Sequence, residues 1–216
     1  AQPVDKINER YLYAVVSGLH WDEPNDNGDY FAYDALHEPI DNDRFAYHTW
    51  QDKPNLVNHR ERDRVGYIPD VYAVKNENSI DMLIATEHDS KLYPNLTKRI
   101  AEGSVSDVSM GVSVRYSICS ECGNMAEDEH LWCTCLSNYK GRKHPVTGRY
   151  VYEKNYGLTG MELSWIVDAD GADPKAKRKL IVAGADFGGK EDMALKPIKR
   201  ASSSGGGSVG GNIHGE

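Results

Sequence analysis

The sequence has no apolar run approaching the roughly 18 residues that a membrane-spanning helix requires. Its longest runs, such as Tyr11–Val16, are far shorter, which argues against a membrane protein. It also lacks an initiator Met, a basic leader and an apolar h-region. The expectation is therefore no secretory signal, or one lost with an upstream segment. Cysteine is scarce: there are four, all between positions 119 and 135, which excludes a disulfide framework spread across the fold. A strongly basic body is missing too. Residues 174–200 hold eight Lys/Arg against three Asp/Glu, which leaves residues 1–173 at a net −12. An acidic body argues against a dedicated nucleic-acid binder, and the short basic segment reads as a solvated helix surface.

What is present suffices for a globular domain. The chain has 216 residues, 39% hydrophobic and 27% charged, enough to bury one core with a small appendage. Residues 201–216 are ten Ser/Gly out of sixteen and read as a flexible tail, leaving residues 1–200 as the domain.

Asp, Asn, Pro and Gly crowd residues 22–43, a long loop. Val65–Lys75 and Ile80–Thr86 flank Asn76–Ser79 as a hairpin. Leu92, Leu96 and Ile100 recur every four residues, with Pro94 suited to a first helical turn and Gly103 to the C-terminal cap. Val105–Ser117 alternates apolar and polar residues, the period of a strand. Leu158–Val167 does the same, with Met161, Leu163, Trp165 and Val167 on one face and Gly160, Glu162 and Ser164 on the other. Asp173-Pro174 is expected to cap a basic helix reaching about Ala183. The fold class is thus α+β: a mainly antiparallel, barrel-like β core with flanking helices and a small insertion at about 118–150.

That insertion holds Cys119-x2-Cys122-x10-Cys133-x-Cys135. Two close pairs of thiolates suit tetrahedral zinc, with Gly123 allowing backbone to approach the ligands. His130 or His144 could stand in for Cys135. Four sulfur ligands close the coordination sphere, so the Zn2+ would be structural, and reduced thiols imply a cytosolic compartment.

Serine hydrolysis needs a base within reach of the hydroxyl and a third group to orient that base. Ser109 lies on the polar face of its strand, with Gly111 leaving room nearby. His59 precedes it by fifty residues, ahead of the hairpin and helix, and Glu162 projects from a later strand.

In Asn58-His59, Val108-Ser109-Met110-Gly111 and Glu162-x-Ser164 running on to Gly171-Ala172-Asp173-Pro174, the chain resembles the head maturation (prohead) serine proteases of tailed bacteriophages, distant relatives of herpesvirus assemblin. The resemblance spans roughly residues 10–183. Several members share a Cys-x2-Cys-Gly insertion whose second pair is commonly Cys-x-His, so Cys135 stands where a His is expected. The resemblance implies a serine endopeptidase acting on scaffold and major capsid proteins, and on itself, inside a procapsid in the host cytoplasm. It implies Ser109 as nucleophile, His59 as base and Glu162 as third member, with Asp168 in reserve. Backbone N–H groups near Met110–Gly111, or Arg115, are the oxyanion candidates, and both chain ends are compatible with processing scars. A homodimer is compatible with this reading; a membrane or a specific nucleic acid is not part of it. The alternatives are an inactive protease-fold component of the head and a zinc-stabilised interaction module.

Overall fold

The alternating apolar runs become strands of one curled sheet, seen in a computed structural model that describes residues 8–88, 90–167 and 173–183. In chain order the strands are β1 (Tyr11–His20), β2 (Asp29–Phe31), β3 (Pro54–Val57), β4 (Gly66–Val74), β5 (Ser79–Glu87), β6 (Val108–Ser113) and β7 (Tyr116–Cys119). They continue with β8 (Met125–Ala126), β9 (Arg142–Lys143), β10 (Tyr150–Val151), β11 (Glu153–Tyr156), β12 (Thr159–Trp165) and β13 (Arg178–Ala183). Among the described residues, three short α-helices accompany them, α1 (Tyr33–Leu36), α2 (Leu96–Glu102) and α3 (Thr134–Tyr139), with three short 3-10 helices. No helix among the described residues is long and apolar enough to cross a membrane.

The large sheet has the order β13-β1-β5-β4-β3-β12-β6. Every neighbouring pair is antiparallel except β3 and β12, which run parallel. The sheet curls until its edges meet at one end. There Val108 N–H donates to the Ala176 carbonyl at 3.0 Å and Arg178 N–H to the Ser106 carbonyl at 2.8 Å. This is a half-barrel, mostly strand with few helices. A second sheet, β2-β11-β7-β8, and the β9–β10 pair carry the insertion.

The expected hairpin forms as β4 and β5, and Gly103 closes α2 in left-handed conformation at φ +82°. Leu96 and Ile100 are buried, but Leu92 is exposed and Pro94 lies ahead of the helix, which begins after Asn95. The expected basic helix at 174–183 is instead the strand β13. Ile181 and Val182 favour extended backbone, and β1 offers them a free edge, so pairing overrides the local helix signal. Its charges are not a solvated helix face. Lys179 reaches across β1 to the buried Asp81 at 2.6 Å, and Lys177 pairs with Asp107 at 3.6 Å.

Two further expectations change. The single strand foreseen at Val105–Ser117 splits at Val114–Arg115: β6 stays in the large sheet and β7 joins the second. The polar face of β12 is not solvated either, because Glu162 and Ser164 are buried, as are Leu163 and Trp165 opposite. Met161 is the exposed residue, set where the β12–β6 register shifts between Gly160 and Glu162. That shift has the form of a β-bulge.

Trp50, Ile68, Met82, Ile84, Leu163 and Trp165 are fully buried in the main core. Each such side chain stabilises the fold by roughly 1.5–3 kcal/mol. A polar thread crosses this core. Asn55 donates from Nδ2 to the Leu163 carbonyl at 2.9 Å and accepts from Thr86 Oγ1 at 3.2 Å, while Trp165 Nε1 donates to Thr86 Oγ1 at 3.0 Å. The thread ties β5, β3 and β12 together. Asn55→Ala would leave buried polar groups unpaired and should cost about 1–3 kcal/mol. A lowered urea midpoint at constant slope checks this.

Candidate active site and metal centre

β3 ends at Val57, and the chain reverses at once through Asn58 and His59, with Arg60 N–H donating to the Val57 carbonyl at 3.1 Å. Both turn residues have positive φ, +49° and +58°. That is the mirror-image two-residue turn, in a region Asn and His enter more readily than most residues. Three hydrogen bonds fasten it to β12 and the residues just after it. Asn58 N–H donates to the Trp165 carbonyl (3.0 Å), Val167 N–H to Asn58 Oδ1 (3.0 Å) and His59 N–H to Ser164 Oγ (2.9 Å). At about 1 kcal/mol each, these bonds are of the size needed to hold two residues left-handed, at roughly 1–2 kcal/mol apiece.

The turn aims the His59 ring at Glu162. Nδ1 lies 2.7 Å from Oε1, and Ser164 Oγ donates to Oε2 at 2.7 Å. A carboxylate at Nδ1 fixes the proton there and leaves Nε2 free to accept another. The hydrogen bond to Glu162 is the main cause holding the His59 pKa above its ordinary value; partial burial opposes it. The His59 side chain is 45% exposed and that of Glu162 12%, so one end of the pair meets solvent.

Ser109 reaches the same place through sheet register. It sits opposite Ser164 on β6, and Gly111 sits opposite Glu162. Directly opposed residues turn to one face with Cβ atoms about 5 Å apart. His59, Glu162 and Ser109 are thus gathered on one face of the β3–β12–β6 corner. Ser109 is half-buried, and among the described residues its hydroxyl makes no hydrogen bond. Gly111 is required here, since a Cβ would lie 2.5 Å from Glu162 Oε1. Asp168, the reserve acid, lies outside the described residues. The Arg115 side chain packs against Gly157 and over the Tyr116 ring, in the stretch between β6 and β7.

Sequence reasoning missed how much Ser164 and Asn58 contribute. Ser164 is completely buried and joins the base's backbone to the acid's carboxylate. Its i+2 spacing from Glu162 was the available signal. It also missed a second hydroxyl–imidazole–carboxylate chain. Ser17 Oγ lies 3.3 Å from His20 Nε2, and His20 Nδ1 lies 2.9 Å from Asp173 Oδ2. Burial decides between the two sets: Ser17 is 2% exposed within β1, so its hydroxyl has no approach for a substrate. That chain ties β1 to the segment that closes the sheet.

The four cysteines meet at the far end of the same foreseen strand. Cys119 ends β7, Cys122 follows in a turn, Cys133 caps α3 and Cys135 lies in its first turn. Their sulfurs all lie within 4.8 Å of one another. Cys122 and Cys133 sulfurs are 3.4 Å apart, far beyond the roughly 2.05 Å of a disulfide, and all four are free thiols. Gly123, at φ +74°, turns the chain so that its N–H donates to the Cys119 carbonyl at 3.0 Å. Neither His130 nor His144 belongs to the cluster. The donor set is compatible with a metal site.

The insertion is fastened by Lys140, which bridges Asp29 (2.7 Å) and Glu153 (2.5 Å) and lies over the Trp132 ring. Burial pulls the Lys140 pKa down, but the two carboxylates outweigh it and hold it above its ordinary value.

Compared with known protein families, curated proteins and solved structures, the chain matches none.

The His59 ring, followed by NMR, should titrate above its usual value, about 6.5, and Glu162→Gln should lower that titration. A histidine with a raised folded pKa stabilises fully below its unfolded value and loses that contribution as pH rises through the folded one. Glu162→Gln should therefore destabilise more near about pH 6 than near about pH 9, read from denaturation midpoints.

Proposed function

We propose that this chain is a serine endopeptidase of the kind that matures tailed-phage heads, with scaffold and major capsid proteins as substrates within the procapsid. The observation that carries the reading is the 2.7 Å His59–Glu162 pair on the face that also bears Ser109. With Nδ1 engaged, His59 Nε2 takes the proton of Ser109 Oγ as the oxygen attacks the scissile carbonyl. Glu162 stabilises the imidazolium, which then protonates the leaving amine, and water resolves the acyl-enzyme by the same route. Ser109 and His59 share no hydrogen bond among the described residues, and such catalytic bonds often tighten only once substrate binds.

The oxyanion donor follows from the ladder. Ile166 N–H donates to the Asp107 carbonyl, so alternate β6 residues Ser109 and Gly111 turn their backbone groups to β12. Met110 turns its N–H the other way, to the outer edge, where no strand pairs with it among the described residues and an incoming carbonyl can use it. This favours Met110 over Gly111 as the donor.

Ser109→Ala should abolish processing of a co-expressed scaffold, a loss of about 10³-fold or more. Ser17→Ala should leave processing intact, because its serine belongs to the other chain of hydrogen bonds. Continued processing by Ser109→Ala would end the reading.

Cys119, Cys122, Cys133 and Cys135 would hold Zn2+, which would supply folding energy to a polar loop and no hydrolytic chemistry. Purified protein should carry close to one zinc per chain. Chelation should raise hydrogen exchange in residues 118–150 more than in β6. Metal-free protein with a Cys119–Cys122 disulfide would exclude this.

A further inference from the structure

A hollow lies along the outer edge of β6, beyond the point where Val108 pairs with Ala176. It has a volume of about 740 Å³ and runs past Val108–Met110 and Val112 to the start of β7. One wall is the end of β1 with Asp173–Ala176; another is Ala126–Glu129 with Trp132, in the cysteine insertion. Ser109 alone of the candidate catalytic set lines it. The hollow therefore meets the candidate site at Ser109, beside a strand whose Met110 N–H and carbonyl face no further strand among the described residues. An extended chain laid there would complete those hydrogen bonds.

The charge of the walls states what kind of chain. Eight carboxylates and two lysines line the hollow, and no arginine does. Lys140 is bound to Asp29 and Glu153, Lys175 to Glu23, and Asp173 to His20. Asp26, Glu127, Asp128 and Glu129 have no cationic partner among the described residues, and all four are exposed around the opening. Three of them belong to the loop between Cys122 and Cys133.

We propose that this cleft selects extended peptide segments carrying lysine or arginine, and that the cysteine insertion is its selecting wall. The inference rests on the endopeptidase reading for what happens at Ser109, but binding can be measured without cleavage. In the full-length Ser109→Ala chain, fluorescence anisotropy compares three labelled peptides of equal length, rich in lysine, in glutamate, or in serine and glycine. The lysine peptide should bind about tenfold or more tightly than the neutral one, with the advantage falling as salt rises. The glutamate peptide should bind least. Glu127→Lys with Glu129→Lys should erase the preference, and Glu127→Gln with Glu129→Gln should weaken it partly, both at unchanged circular dichroism. Chelation of the metal should also erase it.

Equal binding of the three peptides, or a preference that survives the double lysine variant, overturns the proposal. The two readings fail separately. Loss of processing in Ser109→Ala with no basic preference leaves the protease without this specificity. A basic preference with processing that ignores Ser109 leaves a peptide cleft without the chemistry.

Discussion

The carboxylate of Glu162 organises the corner where β3, β12 and β6 run side by side. It is buried, so it needs partners, and it takes them from two directions: the His59 ring at one oxygen and the Ser164 hydroxyl at the other. Burying a carboxylate without such bonds would cost several kcal/mol. Each partner is in turn committed. Ser164 accepts the His59 backbone N–H, and Gly111 stays without a side chain so that the acid has room. The left-handed turn at Asn58–His59, the bare position on β6 and the buried hydroxyl on β12 are consequences of keeping one negative charge inside the sheet.

Much of this was legible because strands announce themselves by period two. The Ser109 strand and the Glu162 strand showed alternation, the hairpin was marked by its turn residues, and the short cysteine spacing marked the thiol cluster. What escaped reading was decided by partners distant in sequence. The segment from Arg178 carries charges and residues that read locally as helix, yet the vacant edge of β1 draws it into the sheet. Alternation on β12 suggested one wet face, but the turn after β3 covers it, and nothing near Glu162 in sequence encodes that cover. The Ser17–His20–Asp173 chain joins positions more than 150 apart and needed coordinates to be seen.

The break at Val114–Arg115 divides one apparent strand between two sheets, and this division sets where Ser109 and the cysteine cluster lie. Upstream, Ser109 stays with the curled sheet; downstream, Cys119 anchors the insertion. Ten positions separate Ser109 from Cys119, and the hollow runs along this stretch as far as Ser117. Insertion residues Ala126–Glu129 and Ser109 thereby line the same hollow.

The parallel contact between β3 and β12 has a bearing on how the chain matures on the ribosome. Its two strands are separated by about half of the polypeptide, and pairings so remote form late, after nearer elements have settled. Imidazole and carboxylate therefore become neighbours only once β12 has emerged and docked. An unfinished nascent chain thus holds Ser109 and His59 before Glu162 can join them.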